Sequence, residues 1–177
     1  MDSEVSILLD RAENELLVAR SLVKLSENKE DASIFELPEG TTFYSGAISH
    51  SYYAIFYCAK AYLLSREIKL SSKQGQHQQV YFKFKNLVKE GVIEGELLKI
   101  YEDLKIKAES LLEILHNEKE KRKTFTYETH SQANKEPAEE SLKNATFFIA
   151  HIRKFIENSK KIIYLHTPSH PLNLDNP

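Results

Sequence analysis

Residues 47–65 read AISHSYYAIFYCAKAYLLS, a run of helix formers without glycine or proline that carries five rings, Tyr52, Tyr53, Phe56, Tyr57 and Tyr62. One helix face cannot hold them all. If the packing seam is Ile48, Tyr52, Ile55, Ala59 and Leu63, at three-four spacing, then Tyr53, Phe56, Tyr57 and Tyr62 lie beside or opposite it. Each ring taken out of water is worth on the order of 2 kcal/mol, and a tyrosine hydroxyl also needs a partner, a combination enriched where protein surfaces meet. The expectation is a helix packed into its own bundle on one side and against a second copy on the other, with Tyr53, Phe56, Tyr57 and Tyr62 in the dimer interface. The alternative is a central helix covered on all sides by the other helices of one chain.

Similar seams run through the rest of the chain. Val5, Leu8, Ala12, Leu16, Ala19 and Val23 predict a first helix from Asp2 to about Glu27. Pro38, Gly40 and a cluster of charges break the period across residues 26–42, a long connection with a short turn around Ile34 to Leu37. Thr41 or Thr42 would cap a second helix running from Phe43 to Arg66. After a loop at 69–76, a shorter third helix extends from Gln76 to Lys89 and stops near Gly91. Leu97, Tyr101, Leu104, Ala108, Leu111 and Leu115 mark a fourth helix. Ala138, Leu142, Ala145, Ile149, Ile152, Ile156, Ser159 and Ile163 mark a fifth. The expected fold is all-α, an antiparallel up-and-down bundle of four main helices plus the shorter third, forming a single domain over 1–164 with a flexible, proline-containing tail at 165–177.

Composition and motif spacing remove many functions. Five glycines and five prolines in 177 residues are too few for an all-β fold. No apolar run approaches the roughly 20 residues of a membrane span, and the first ten residues are acidic where a signal peptide would be basic, so a cytoplasmic protein is expected. The one cysteine, Cys58, sits in the aromatic helix and reads as a small buried packing residue. Walker and GxGxxG loops are absent, and YSGA at 44–47 is no nucleophile elbow. His116 with Glu120 and His166 with His170 have turn spacing but lack an HExxH or facing partners, so neither a metal nor another cofactor is expected. The net charge of −2 hides an asymmetry: residues 1–40 carry ten acids and four bases, residues 41–93 seven bases and two acids.

Five stretches together resemble the HEPN domain family (higher eukaryotes and prokaryotes nucleotide-binding). They are RAENELLVAR at 11–20, AISHSYYAIFYCAKAYLL at 47–64, His77 after a Ser-Lys loop, RKTFTY at 122–127 and EPAEESLKNATFFI at 136–149. Ser49, Tyr52, Tyr53 and Ala54 form the most specific element. The resemblance implies a helical bundle that dimerises, is often found beside a minimal nucleotidyltransferase, and in many members cuts RNA without metal through an arginine followed after a short gap by a histidine. Here the next histidine after Arg122 is His130, beyond seven intervening residues, whereas Tyr127 follows after four. That spacing resembles the branch with Arg…Tyr.

The resulting expectation is a non-catalytic, homodimeric module that binds a partner such as a minimal nucleotidyltransferase, and nucleotide or RNA through His77, Arg122, Lys123 and Tyr127, within a toxin–antitoxin system. The alternative is a metal-independent endoribonuclease, in which Arg122 stabilises the developing phosphate charge and His130, with His77, transfers protons. A second alternative is a scaffold without nucleic-acid affinity. In that case Arg122 and Lys123 merely favour the carbonyl end of a helix, Tyr127 anchors a loop, and Lys60, Lys69, Lys73, Lys83, Lys85 and Lys89 form a wet face.

Overall fold

The computed structural model describes residues 3–71, 75–91, 116–123 and 135–166, without the side chains at 88 and 159–166. Its helices are α1 (Ser3–Glu27), α2 (Lys29–Ile34), α3 (Tyr44–Ser65), α4 (Gln76–Lys89), α5 (residues 116–123) and α6 (Lys135–His166). The fold is an all-α bundle, with no strand among the described residues. Most of the expected fourth helix, including its seam at 97–115, lies outside the described residues, as does the tail from 167.

The apolar period of α1 becomes its buried face: Val5, Leu8, Leu9, Ala12, Leu16, Ala19 and Val23 turn inward. Cross-links show that α1 and α3 run antiparallel. Leu22 lies beside Gly46, where a β-carbon would come within 3.0 Å, Glu15 meets His50 at 2.6 Å, and Arg11 covers the Tyr57 ring at 4.3 Å. A second antiparallel series joins α1 to α6, through Glu13–Arg153 at 3.1 Å, Arg20–Thr146 at 3.4 Å and Glu27–Lys135 at 2.8 Å.

The centre is α3, against which α1, α4 and α6 all pack. All five residues of its expected seam are buried, and so are Phe56 and Tyr62. The Tyr62 ring stands edge-on to Phe84 of α4 and Phe155 of α6, each at a centroid distance of 6.3 Å. Within a single chain, therefore, Phe56 at 4% and Tyr62 at 0% exposure already have their cover and present no surface to a second copy. Assigning these two to a dimer interface is corrected by that burial. Tyr53 and Tyr57 are half-buried.

Two local expectations also change. A six-residue helix, α2, occupies the connection just before the expected turn, capped by the Asn28 side chain, which accepts the N–H groups of Glu30 and Asp31. At the start of α3 neither Thr41 nor Thr42 provides the cap. Phe43 holds that position, and its N–H donates at 2.8 Å to the hydroxyl of Ser26 at the end of α1.

Candidate functional site

The middle of α3, the start of α4 and the end of α5 converge on one cluster. From α3, Tyr52 and Phe56 form a buried floor, with Tyr53 half-buried beside them. His77, on the first turn of α4, lies flat on Phe56 at a centroid distance of 3.9 Å and stacks on Tyr52 at 5.5 Å. Its Nδ1 is 2.7 Å from the Tyr52 hydroxyl. Arg122 of α5 places its guanidinium 4.9 Å from the centre of the Tyr52 ring and 5.5 Å from that of Tyr53, and donates to the Tyr53 hydroxyl at 3.4 Å.

The electrostatics follow from burial and from the cations. Burial pushes the Tyr52 phenol up to about 12 against the opposing pull of Arg122, so the hydroxyl keeps its proton at any physiological pH. Burial also lowers the pKa of His77, followed by the positive charges of Arg122, Lys119 and Lys60. The imidazole is thus neutral at pH 7. A buried hydroxyl proton needs an acceptor, and among the described residues Nδ1 of His77 is the one bonded to it. The assignment that satisfies both groups has the Tyr52 O–H donating to Nδ1, which leaves the imidazole proton on Nε2.

What holds Arg122 there is one turn earlier on α5. Glu118 is fully buried, and its Oε1 accepts hydrogen bonds from Lys121 and from Asn144 of α6, both at 3.1 Å. Lys121 in turn donates to Glu140 of α6. This polar lock docks α5 on α6 and so sets where Arg122 can reach. Lys60 donates to Gln76, the residue before His77, at 3.2 Å, and both line a recess of about 350 Å³ with Glu4, Leu64, Ile68 and Lys69.

Taken together, the cluster offers N–H donors and positive charge on an aromatic floor. Such a site suits an oxyanion, and a phosphate group in particular. No group of three or more His, Cys, Asp or Glu suited to a metal stands among the described residues.

No family model matches the chain. It is, however, 30% identical over 143 residues to a protein of Methanocaldococcus jannaschii named "Putative toxin", a match covering 80% of this chain and 86% of that relative. It is also 33% identical over 111 residues to a UPF0332 protein of Gloeobacter violaceus, covering 58% of this chain and 74% of the relative. The chain belongs to the UPF0332 family, which is of HEPN type.

In this UPF0332 chain two of the residues expected to contact phosphate, His77 and Arg122, meet in one cluster, with Tyr53 and Phe56 of the expected dimer interface beside them. Lys123 is exposed at the end of α5. Tyr127 and His130 lie outside the described residues. Sequence reasoning missed three contributors. Tyr52 read as a seam residue, because nothing local marks a hydroxyl that bonds a side chain 25 positions away. Lys119 and Glu118 lay unremarked in the charged run at 116–123, where a buried acid looks like a wet one. Among the described residues, no helix is long and apolar enough to cross a membrane.

Proposed function

We propose that this UPF0332 protein is a non-catalytic, homodimeric binding module of a cytoplasmic toxin–antitoxin pair. It belongs to the Arg…Tyr branch, holds a phosphate group of nucleotide or RNA, and binds a protein partner such as a minimal nucleotidyltransferase. The toxin role draws on the name of the archaeal relative. Phosphate recognition rests on one observation, the 2.7 Å bond between the Tyr52 hydroxyl and Nδ1 of His77. With Nδ1 so engaged, the imidazole proton sits on Nε2, and His77 joins Arg122, Lys60 and Lys119 as a donor. None of the four is then ready to accept the proton of a 2′-hydroxyl, which metal-free RNA cleavage requires. Lys123 and Tyr127, next along the chain, extend the site, with Tyr127 available to stack on a base. In the dimer, half-buried Tyr53 and Tyr57 supply the aromatic contacts, beside Arg11 and Arg122.

The test is to incubate the purified protein with labelled RNA in the presence of a chelator, measuring retention and cleavage separately. The expected result is salt-sensitive binding without cleavage, with affinity falling roughly tenfold in Arg122→Ala, the scale of one charged phosphate contact. Chelator-resistant cleavage abolished by Arg122→Ala or His130→Ala would establish the endoribonuclease instead. Absence of binding even at low salt would leave a scaffold.

A further inference from the structure

Helix α2 is fixed more firmly than its size accounts for. Asn28 caps its start at 2.9 and 3.4 Å, and Lys24 of α1 pairs with Asp31 at 3.2 Å. Its end closes with two backbone bonds, Leu37 N–H to the Ala32 carbonyl at 3.1 Å and Glu36 N–H to the Ser33 carbonyl at 3.0 Å. That closure sets Glu36 at φ 53, a left-handed conformation usually left to glycine. Yet no residue of α2 is buried, and among the described helices it packs on α1 alone.

What this scaffold displays is apolar. Ile34 at 75% and Phe35 at 64% are the two most exposed large hydrophobic side chains among the described residues. Acids flank them along the chain. Residues 26–42 contain five acids, Glu27, Glu30, Asp31, Glu36 and Glu39, against one base, Lys29. Lys135 and Lys24 engage Glu27 and Asp31, and Lys29 reaches Glu39 only at 3.9 Å with both side chains in solvent. Glu30, one helical turn before Ile34, and Glu36, next to Phe35, therefore put acidic charge beside the apolar pair, with Glu39 three residues further along the chain.

We propose that α2 is a docking element for a second protein whose surface carries an apolar pocket rimmed by lysine or arginine. Ile34 and Phe35 enter the pocket as anchors, and Glu30, Glu36 and Glu39 meet the rim. Charge decides against a second copy of this chain meeting α2 to α2, since each would bring the same acids to the contact. The inference takes from the proposed function only the existence of a protein partner, and the element shares no residue with the His77 cluster.

Phage-displayed random peptides selected against the full chain test this directly. The recovered peptides should combine apolar residues with lysine or arginine, and their affinity should drop by about 30-fold or more for the double substitution Ile34→Ser, Phe35→Ser, the scale of a pair of interface anchors. Glu30→Lys with Glu36→Lys should weaken binding most at low salt. Arg122→Ala should leave peptide affinity unchanged, which separates failure here from failure of the phosphate site. Recovering no peptides, or only peptides that tolerate the double serine substitution, overturns the proposal. So does a fall in thermal midpoint in that variant, since it would show that the two side chains serve the fold. If the serine variant melts with the wild type and loses the peptides, the docking element stands.

Discussion

Tyr62 separates packing within one chain from packing between chains, so its truncation is worth following in detail. The ring is completely enclosed, edge-on to Phe84 and Phe155, and burial pushes its phenol up. Tyr62→Ala removes the ring from a site walled by α3, α4 and α6, and a rigid core of this kind closes only partly around the void. Truncations of large aromatic side chains in such settings cost about 3–5 kcal/mol. For a chain of this length each kcal/mol moves the midpoint by about 2–4 °C, so a fall of roughly 6–20 °C is expected. Because the lost contacts are intramolecular, the fall should not depend on protein concentration. Tyr57→Ala is the control. That ring is half-buried and covered by Arg11, whose cation–π contact is worth about 0.5–2 kcal/mol, and its removal should instead shift the sedimentation of the proposed dimer. Thermal melts at widely separated concentrations decide the matter. A Tyr62→Ala protein that melts like the wild type, or one destabilised only when dilute, would refute the assignment of Tyr62 to the core.

Two further outcomes follow from the titrating groups. The pKa of His77 is lower in the folded chain than its ordinary 6.5, so folding opposes its protonation. Above about pH 6.5 both states are neutral and the group contributes no slope; as pH falls through that value the unfolded chain gains a proton that the folded chain refuses, and stability drops by up to about 1.4 kcal/mol per pH unit until the folded value is passed. Urea midpoints across that range should show this slope in the wild type and lose it in His77→Gln. Cys58 is fully buried and its thiol is pushed up by burial, so iodoacetamide at mildly alkaline pH should leave it unmodified in the native protein and alkylate it in denaturant, as mass spectrometry would read.

Among the described residues, the helices with a long apolar period are legible in the sequence. α1, α3, α4 and the start of α6 fall within a few residues of their expected positions, because seams such as Val5 to Val23 dictate which face turns inward. Helix α2 was not legible: with no buried residue it has no period, and what makes it is the Asn28 cap. On the aromatic helix the rings are too many for one face, but counting them on one helix cannot show how many neighbours surround it. With α1, α4 and α6 all packed on α3, Phe56 and Tyr62 are consumed by one chain. For the site, Arg122 and His77 stood out in the sequence as residues whose chemistry suits phosphate. Their meeting depends on Glu118, a buried acid that docks α5 on α6, and on a tyrosine 25 residues before His77, neither of which leaves a local signature.

Binding or cleavage at this site turns on which ring nitrogen of His77 carries the proton. Long-range nitrogen–proton NMR of the imidazole at neutral pH reads this directly. An unprotonated Nδ1 and a protonated Nε2, with the Nε2 resonance moving as a mononucleotide is added and still in Arg122→Ala, is the result expected of a donor-lined phosphate site. A proton on Nδ1, leaving Nε2 bare as a base, would contradict it and favour cleavage over binding.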